Sequence, residues 1–199
     1  MYKNFGKRFI DVIIAAAGII ILSPLFLFLA LLIYFSDFKN PFFFQPRPGL
    51  NGKCFTIIKF RTMNNRCDDN HNLLPDSQRL TVSGKFLRRN SLDELPQLWN
   101  VLAGEMSLIG PRPLLMEYLP LYTKRQSKRH IAKPGITGWA QVNGRDNISW
   151  EEKFDCDLWY VDHLSFQTDL TILILTARTL FPTKPGHKAQ PDLIEKFTG

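Results

Sequence analysis

No charged residue lies between Asp11 and Asp37, and cysteines, phosphate-cradling glycine loops and long basic tracts are also scarce in this chain. The three cysteines, Cys54, Cys67 and Cys156, are odd in number and far apart. That excludes a disulfide framework and zinc-type pairing, and reads as reduced thiols facing the cytosol. Walker-type and dinucleotide glycine patterns are missing, so the common nucleotide-binding loops are excluded. Lys and Arg number 25 against 18 Asp and Glu, a net charge of +7. Such a chain attracts nucleic acid, an anionic bilayer or phosphorylated small molecules. Its basic residues are dispersed and carry no nucleic-acid motif, so no nucleic-acid partner is expected. A mean hydropathy of −0.11 excludes several membrane spans, leaving one domain with one membrane element.

That element is the apolar run Val12–Phe35, 24 residues long and sufficient to cross a bilayer as a helix. It is too long for a cleavable signal peptide, and no small-residue cleavage site follows it. Ser23-Pro24 falls in the middle, where proline bends or breaks a helix. Both flanks are basic: Lys3, Lys7 and Arg8 before, Lys39, Arg47, Lys53, Lys59 and Arg61 after. A simple crossing carries a one-sided bias, so a kinked span and a helix that turns back to the same face both remain open. Arg8 and Asp11, three apart, form either a boundary ion pair or a solvated helix start.

The remainder reads as a mixed α+β fold, mainly α. Phe42–Gln45 and Cys54–Phe60, joined by Pro-Gly-Leu-Asn-Gly, predict a β-hairpin. Asn64–Arg79 reads as a polar surface loop, Leu92–Leu102 and Leu114–His130 as helices, and Lys133–Asn147 as a glycine-bearing loop. Trp150–Asp162 and Leu170–Leu180 read as helices, the second short and suited to a membrane surface or to capping the core. Trp150, Trp159, Tyr160 and Phe166 suit either an interface belt or ordinary core. The domain boundaries are 1–40 for the membrane element, 41–181 for a cytosolic catalytic domain and 182–199 for a polar tail.

Chemistry concentrates at Leu87-Arg-Arg-Asn-Ser-Leu-Asp-Glu-Leu-Pro-Gln-Leu. Ser91 and Glu94 have capping-box spacing. Pro96 argues instead for a helix beginning near itself, with Asp93 and Glu94 just before it. Either placement sets two carboxylates near a positive helix end, with Arg88 and Arg89 close in sequence, and favours their ionised forms. An ionised carboxylate can attack phosphorus, and neighbouring carboxylates can hold Mg²⁺. Arg112, fixed between Pro111 and Pro113, presents a planar cation suited to phosphate. Arg145 ends a loop carrying Gly135, Gly138 and Gly144, whose backbone can approach an anion.

Taken together these stretches resemble the bacterial sugar transferase family, the small monotopic phosphoglycosyl transferases. The resemblance rests on Lys7-Arg8-Phe-Ile-Asp11, Gln45-Pro-Arg47-Pro-Gly49, Lys59-Phe-Arg-Thr-Met63 and Ser91-Leu-Asp93-Glu94-Leu-Pro-Gln97. It continues through Gly104-Glu-Met-Ser-Leu-Ile-Gly-Pro-Arg112-Pro113 and Lys133-Pro-Gly-Ile-Thr-Gly138 to Gln141-Val-Asn-Gly-Arg145. It implies a monotopic protein of a bacterial cytoplasmic membrane, its catalytic domain facing the cytosol. An N-terminal helix broken at Ser23 and Pro24 and re-entering on one side is implied, with the boundary motif Lys7, Arg8 and Asp11 and with amphipathic interfacial helices. It also implies a two-step Mg²⁺-dependent reaction, the first membrane step of glycan or glycoprotein assembly. Asp93 attacks a UDP-sugar, UMP leaves, and polyprenyl (undecaprenyl) phosphate takes the phosphosugar. Glu94 completes the dyad; Lys59, Arg88, Arg112, Gln141 and Arg145 hold phosphates; Asp93, Glu94 and Asp169 hold the metal. N-acetylated and plain hexose donors both suit the pattern, and a homo-oligomer is left open. The rival readings are a membrane-anchored anion-binding protein and an inactive scaffold.

Overall fold

The computed structural model describes residues 2–37, 40–144, 147–180 and 196–199. A π-helical turn, Tyr2–Gly6, leads into α1 (Lys7–Asp37), 31 residues of almost wholly apolar helix. At about 1.5 Å per residue it is roughly 46 Å long. Pro24 has no amide hydrogen, which deprives the carbonyl of Ile20 of its usual donor. The Ser23 hydroxyl donates to that carbonyl instead, at 2.8 Å. The helix therefore continues through the Ser-Pro pair as one element, where the sequence suggested an interruption.

One stripe of α1 is buried along its whole length: Asp11, Ala15, Leu29 and Ile33, with Gly18, Ile19 and Phe26 half-buried between them. The first half packs beside Leu98 and Val101, the second beside Phe60 and Leu87. Both halves thus rest on the same domain. The opposite face exposes Ile13, Ile20, Ile21, Leu27, Phe28 and Phe35. Only 11% of the most apolar 18-residue window is buried, and the helix is long and apolar enough to cross a membrane.

Arg8 and Asp11 form neither the ion pair nor the solvated start. Arg8 donates to the carbonyls of Val101 and Leu102, and Asp11, buried, accepts from the amide of Leu108 at 3.1 Å. Each side chain satisfies main-chain groups across the interface that would otherwise be orphaned.

β1 (Phe42–Pro48) and β2 (Cys54–Phe60) form the antiparallel hairpin, pairing Phe42 with Phe60 and Pro48 with Cys54. Its turn uses Asn51 and Gly52 at positive φ. After the loop closed by α2 (Asp76–Arg79), α3 (Val82–Arg89) begins at a cap in which Thr81 accepts from the Gly84 amide. Next come a 3₁₀ turn, Leu92–Glu94, and α4 (Gln97–Ala103), which ends at Gly104 with φ 87°. β3 (Ser107–Ile109) pairs in parallel with β4 (Gly135–Thr137). Their junction is a close backbone crossing. A Cβ on Gly110 would lie 2.2 Å from the Lys133 carbonyl, and one on Gly135 would lie 2.0 Å from the Gly110 amide.

Several expectations need correction. Leu114–His130 is not a helix but two 3₁₀ turns, Met116–Leu121 and Gln126–Ile131. The stretch expected as a loop over Lys133–Asn147 holds β4 and the one-turn helix α5 (Trp139–Val142). α6 (Trp150–Asp162) forms as expected, and it carries the capping box of Ser149 and Glu152 that the sequence suggested for Ser91. α7 (Phe166–Leu180) starts four residues earlier than expected. The four aromatics do not form one belt. Tyr160 is fully buried and Trp150 packs among Tyr118, Phe154 and Phe197, while Trp159 and Phe166 are exposed. Of the tail, 182–195 lie outside the described residues; within 196–199 Phe197 is buried.

The main core gathers Phe55 and Ile57 of β2, Leu98 and Val101 of α4, Met106, Leu108, Ile109, Tyr160 and Ile172, with Ala15 of α1 closing one side.

Candidate active site

Asp93 and Glu94 occupy the 3₁₀ turn between α3 and α4. Ser91 before them has φ 57° and makes no cap, while Pro96 sits directly before Gln97, so of the two sequence readings the later helix start holds. Leu92 and Leu95 pack on Leu29, Phe60 and Leu87, which pins the turn from below.

Asn100, one turn into α4, ties this turn to the hairpin. Buried at 2% exposure, it accepts from the Ile58 amide at 3.0 Å and donates to the Thr56 carbonyl at 2.7 Å. It thereby occupies the outer edge of β2 as a strand partner would. That register sets Lys59 of β2 against the turn. No sequence pattern marked Asn100, because a side chain that mimics a strand has no local signature.

Glu94 is fully committed. Its carboxylate receives both arms of Arg112, at 2.6 and 3.3 Å, and the Lys59 ammonium at 3.1 Å. Burial alone would raise its carboxyl, yet Arg112 and then Lys59 outweigh that and hold it well below the usual carboxylate range. Burial also pushes Lys59 below the ordinary lysine value, with Glu94 opposing. Asp93 has the contrary environment. It is 9% exposed, and its carboxylate makes no hydrogen bond or ion pair among the described residues. Burial, then the neighbouring charge of Glu94, push its carboxyl upward, while Lys59, Arg112 and Arg88 pull it back. Ionisation is therefore favoured at Glu94 and disfavoured at Asp93, a reversal of the sequence expectation for Asp93.

Arg88 lies near enough to act on Asp93 while its guanidinium donates to the Thr62 hydroxyl at 3.0 Å and to the Met63 sulfur. The structure thus brings together Asp93, Glu94, Lys59, Arg88 and Arg112. It does not bring Asp169 to them. That carboxylate is buried between Lys7 at 2.6 Å, Tyr2 and the Tyr160 hydroxyl at 2.8 Å. No group of three or more candidate His, Cys, Asp or Glu ligands forms among the described residues. The assignment of Asp169 as a third metal ligand is corrected accordingly: it anchors Lys7 to α6 and α7. Gln141 lies in α5 beside Gly138, and both polar atoms of its amide are buried without a hydrogen-bond partner among the described residues. Arg145 lies outside the described residues.

The donor set suits Mg²⁺ in one way only. Asp93 offers a carboxylate with no hydrogen bond or ion pair among the described residues, Glu94 lies beside it, and Mg²⁺ accepts one or two carboxylates when phosphates and water complete its shell.

Chemically, the arrangement offers an uncommitted carboxylate next to a neutralised one, ringed by three cations. Comparison with known proteins places this geometry in context. The family model described as bacterial sugar transferase matches residues 2–183. The uncharacterized sugar transferase EpsL of Bacillus subtilis is 51% identical over 193 residues, covering 97% of this chain and 96% of that protein. The UDP-glucose:undecaprenyl-phosphate glucose-1-phosphate transferase of Xanthomonas campestris is 40% identical, covering 94% of this chain and 41% of that protein. The undecaprenyl-phosphate galactose phosphotransferase of Salmonella typhimurium is 35% identical, covering 89% and 41%. The chain thus spans about two fifths of these longer relatives.

Proposed function

The chain belongs to the bacterial sugar transferase family, and on that premise we propose that it transfers a sugar-1-phosphate from a UDP-sugar to polyprenyl phosphate. In this reading an Asp93 oxygen attacks the phosphorus that bears the sugar. The bond from that phosphorus to the bridging oxygen breaks, and UMP leaves with the electron pair. An oxygen of polyprenyl phosphate then attacks the same phosphorus and expels the Asp93 carboxylate, giving a polyprenyl diphosphosugar. One phosphoanhydride replaces another, so the overall exchange is close to balanced. Phosphoryl transfer of this kind needs alignment and charge neutralisation more than covalent assistance.

The observation that carries the reading is the asymmetry of the dyad. Glu94 has its oxygens filled by Lys59 and Arg112, whereas Asp93 is the carboxylate left to react. Glu94 acts by holding those cations in place, and Arg88 and Arg112 hold donor phosphates. Mg²⁺, when held by Asp93 with Glu94 alongside, would neutralise charge on the donor's diphosphate.

The contacts of α1 support a membrane placement. A straight crossing carries one end of a helix away from the domain that holds the other. Here both halves rest on one domain, which supports a helix that sits in the cytoplasmic leaflet and returns to its side of entry. The acceptor's phosphate lies at that depth.

The test is UMP release by the purified chain over a panel of UDP-sugars, with Mg²⁺, with and without polyprenyl phosphate. UDP-glucose and UDP-galactose come first, because relatives are named for those sugars, and N-acetylated donors follow. Acceptor-dependent release that Asp93→Asn abolishes supports the reading. Silence from folded protein would favour the anion-binding or scaffold alternatives.

A further inference from the structure

Arg112 sits in Pro111-Arg112-Pro113, so two of its three residues have no amide hydrogen to anchor them. The three carbonyls of the segment are all taken. Pro111 accepts from the Gly135 amide at 3.0 Å, Arg112 from Arg129 at 2.7 Å, and Pro113 from Arg47 at 3.3 Å. Two of the three donors are thus arginines from other parts of the chain.

Arg129 is almost completely buried, at 2% exposure, and its guanidinium is held from every side. Two of its nitrogens grip the buried Asp157 of α6 at 2.6 and 2.9 Å. The rings of Tyr122 and Phe154 lie within 6 Å of it. The terminal nitrogen that binds Asp157 also donates to the Arg112 carbonyl. An ion pair removed from water costs desolvation that direct attraction recovers only with full hydrogen bonding. Such a pair is a poor way to gain stability alone, and while Nη1 donates to the Tyr122 hydroxyl, Nη2 also donates to the main chain of a site residue. Arg47 is held less completely, with no carboxylate pair among the described residues and its Nε buried without a hydrogen-bond partner there. It is held by Gln45 at 2.7 Å, and burial pushes its guanidinium down to about 10.

We propose that Arg129 and Arg47 are positioning residues: they fix the main chain of Arg112, and so set where its guanidinium meets Glu94 and the donor's phosphates. This rests on the reading of the chain as a phosphoglycosyl transferase. Neither arginine touches substrate. Each holds a carbonyl at a fixed point, and the rigid Pro-Arg-Pro backbone transmits that point to the guanidinium. A misplacement of about 1 Å in such a group can cost on the order of a hundredfold in rate.

The experiment is a double-mutant cycle on the full-length chain. Arg129→Lys keeps the charge but cannot grip Asp157 with two nitrogens and reach the Arg112 carbonyl as well. Kinetics for the UDP-sugar donor are measured for Arg129→Lys, Arg112→Ala and the double variant, each checked by thermal melting. The expected result is a rise in donor KM and a fall in kcat/KM of about tenfold or more for Arg129→Lys. In the Arg112→Ala background the same change should cost less than about twofold. Equal factors in both backgrounds, or a fall in kcat with KM unmoved, would mark a general folding role and overturn the proposal. Should Arg129→Lys fail to melt cooperatively, Arg47→Lys carries the same cycle through the Pro113 carbonyl, with the same two outcomes. A wild-type chain that melts cooperatively yet releases no UMP would overturn the reaction itself, and with it the role assigned to both arginines.

Discussion

Replacing Glu94 by Gln tests the electrostatic centre of the site directly. The substitution keeps shape and removes one charge, leaving Lys59 and Arg112 without their shared counter-ion. The two cations respond differently. The Arg112 side chain is 44% exposed, so it turns to water, and its share is that of a surface pair, about 1 kcal/mol or less. Lys59 is only 19% exposed, so it stays buried, with Asp93 as its remaining nearby negative charge. Breaking a buried pair from one side costs about 3–5 kcal/mol. The partial exposure of Lys59 puts the total near 3 kcal/mol. For a chain of this size that lowers the melting temperature by roughly 6–12 °C. The assay is thermal unfolding at pH 7.5 with a chelator present, followed by far-UV circular dichroism. Lys59→Met should recover most of the loss in the double variant, because it removes the stranded charge. The pH dependence has a definite sign. Glu94 is depressed in the folded state, so its contribution is fully present above the ordinary glutamate range and is lost as pH falls through the folded value. The gap between wild type and variant should therefore hold steady from pH 8 to pH 5 and close only in stronger acid. A loss below about 1 kcal/mol, or no recovery in the double variant, would refute the claim that Glu94 holds Lys59.

Four further outcomes are expected. Phe197→Ala should cost about 3 kcal/mol in thermal or urea unfolding, because the ring is buried among Tyr118, Trp150 and Phe154; an unchanged midpoint would show that the C-terminal segment does not dock. Asn100→Ala should cost about 2–3 kcal/mol and lower UMP release, since it strands the Ile58 amide and the Thr56 carbonyl beside the site. Gly135→Ala should prevent stable folding, measured as loss of a cooperative melt, because its Cβ would lie 2.0 Å from the Gly110 amide. Single reporter cysteines at residues 5 and 40, in a chain freed of Cys54, Cys67 and Cys156, should react with an impermeant thiol reagent from the same side of a sealed vesicle. Reaction from opposite sides would sink the re-entrant placement of α1.

Much of this was legible in the chain, and the parts that were not share a cause. The hairpin was readable because Gly49-Leu-Asn-Gly52 turns between two β-rich runs, and α6 takes the bounds read for it, although its cap at Ser149 and Glu152 went unread. The dyad and Arg112 were readable because proline and adjacent charge mark them locally. The failures lie where tertiary contact overrides local pattern. Leu114–His130 has helical composition, yet Pro113 and Pro120 and the buried Arg129 divide it into separate turns. β3 and β4 are three residues each, and they pair only because Gly110 and Gly135 let two backbones cross. Asp169 was placed at the metal by the family resemblance; its partner Lys7 lies 162 residues away, a separation no local reading reveals. The Ser23-Pro24 pair was recognised for what proline removes, and the replacement bond from the Ser23 hydroxyl had to be seen in three dimensions.

The charge arrangement also bears on the proposed choice of chemistry over simple anion capture. A protein that only binds phosphate gains from open cations, and carboxylates among them reduce that gain. Here Glu94 takes up Arg112 and Lys59, and Asp93 stands in the same ring of positive charge with no hydrogen bond or ion pair among the described residues. For a receptor this would be self-defeating. For phosphoryl transfer it is useful twice over. Cations already ordered by Glu94 need no reorganisation when the negative charge of a diphosphate develops between them. A carboxylate that burial has pushed upward is more basic, and so more reactive toward phosphorus, than one held down by ion pairs. The two neighbours therefore differ in the direction that a division between nucleophile and charge-holder requires. Exchanging their roles, by asking Glu94 to attack, would need Arg112 and Lys59 to release it first.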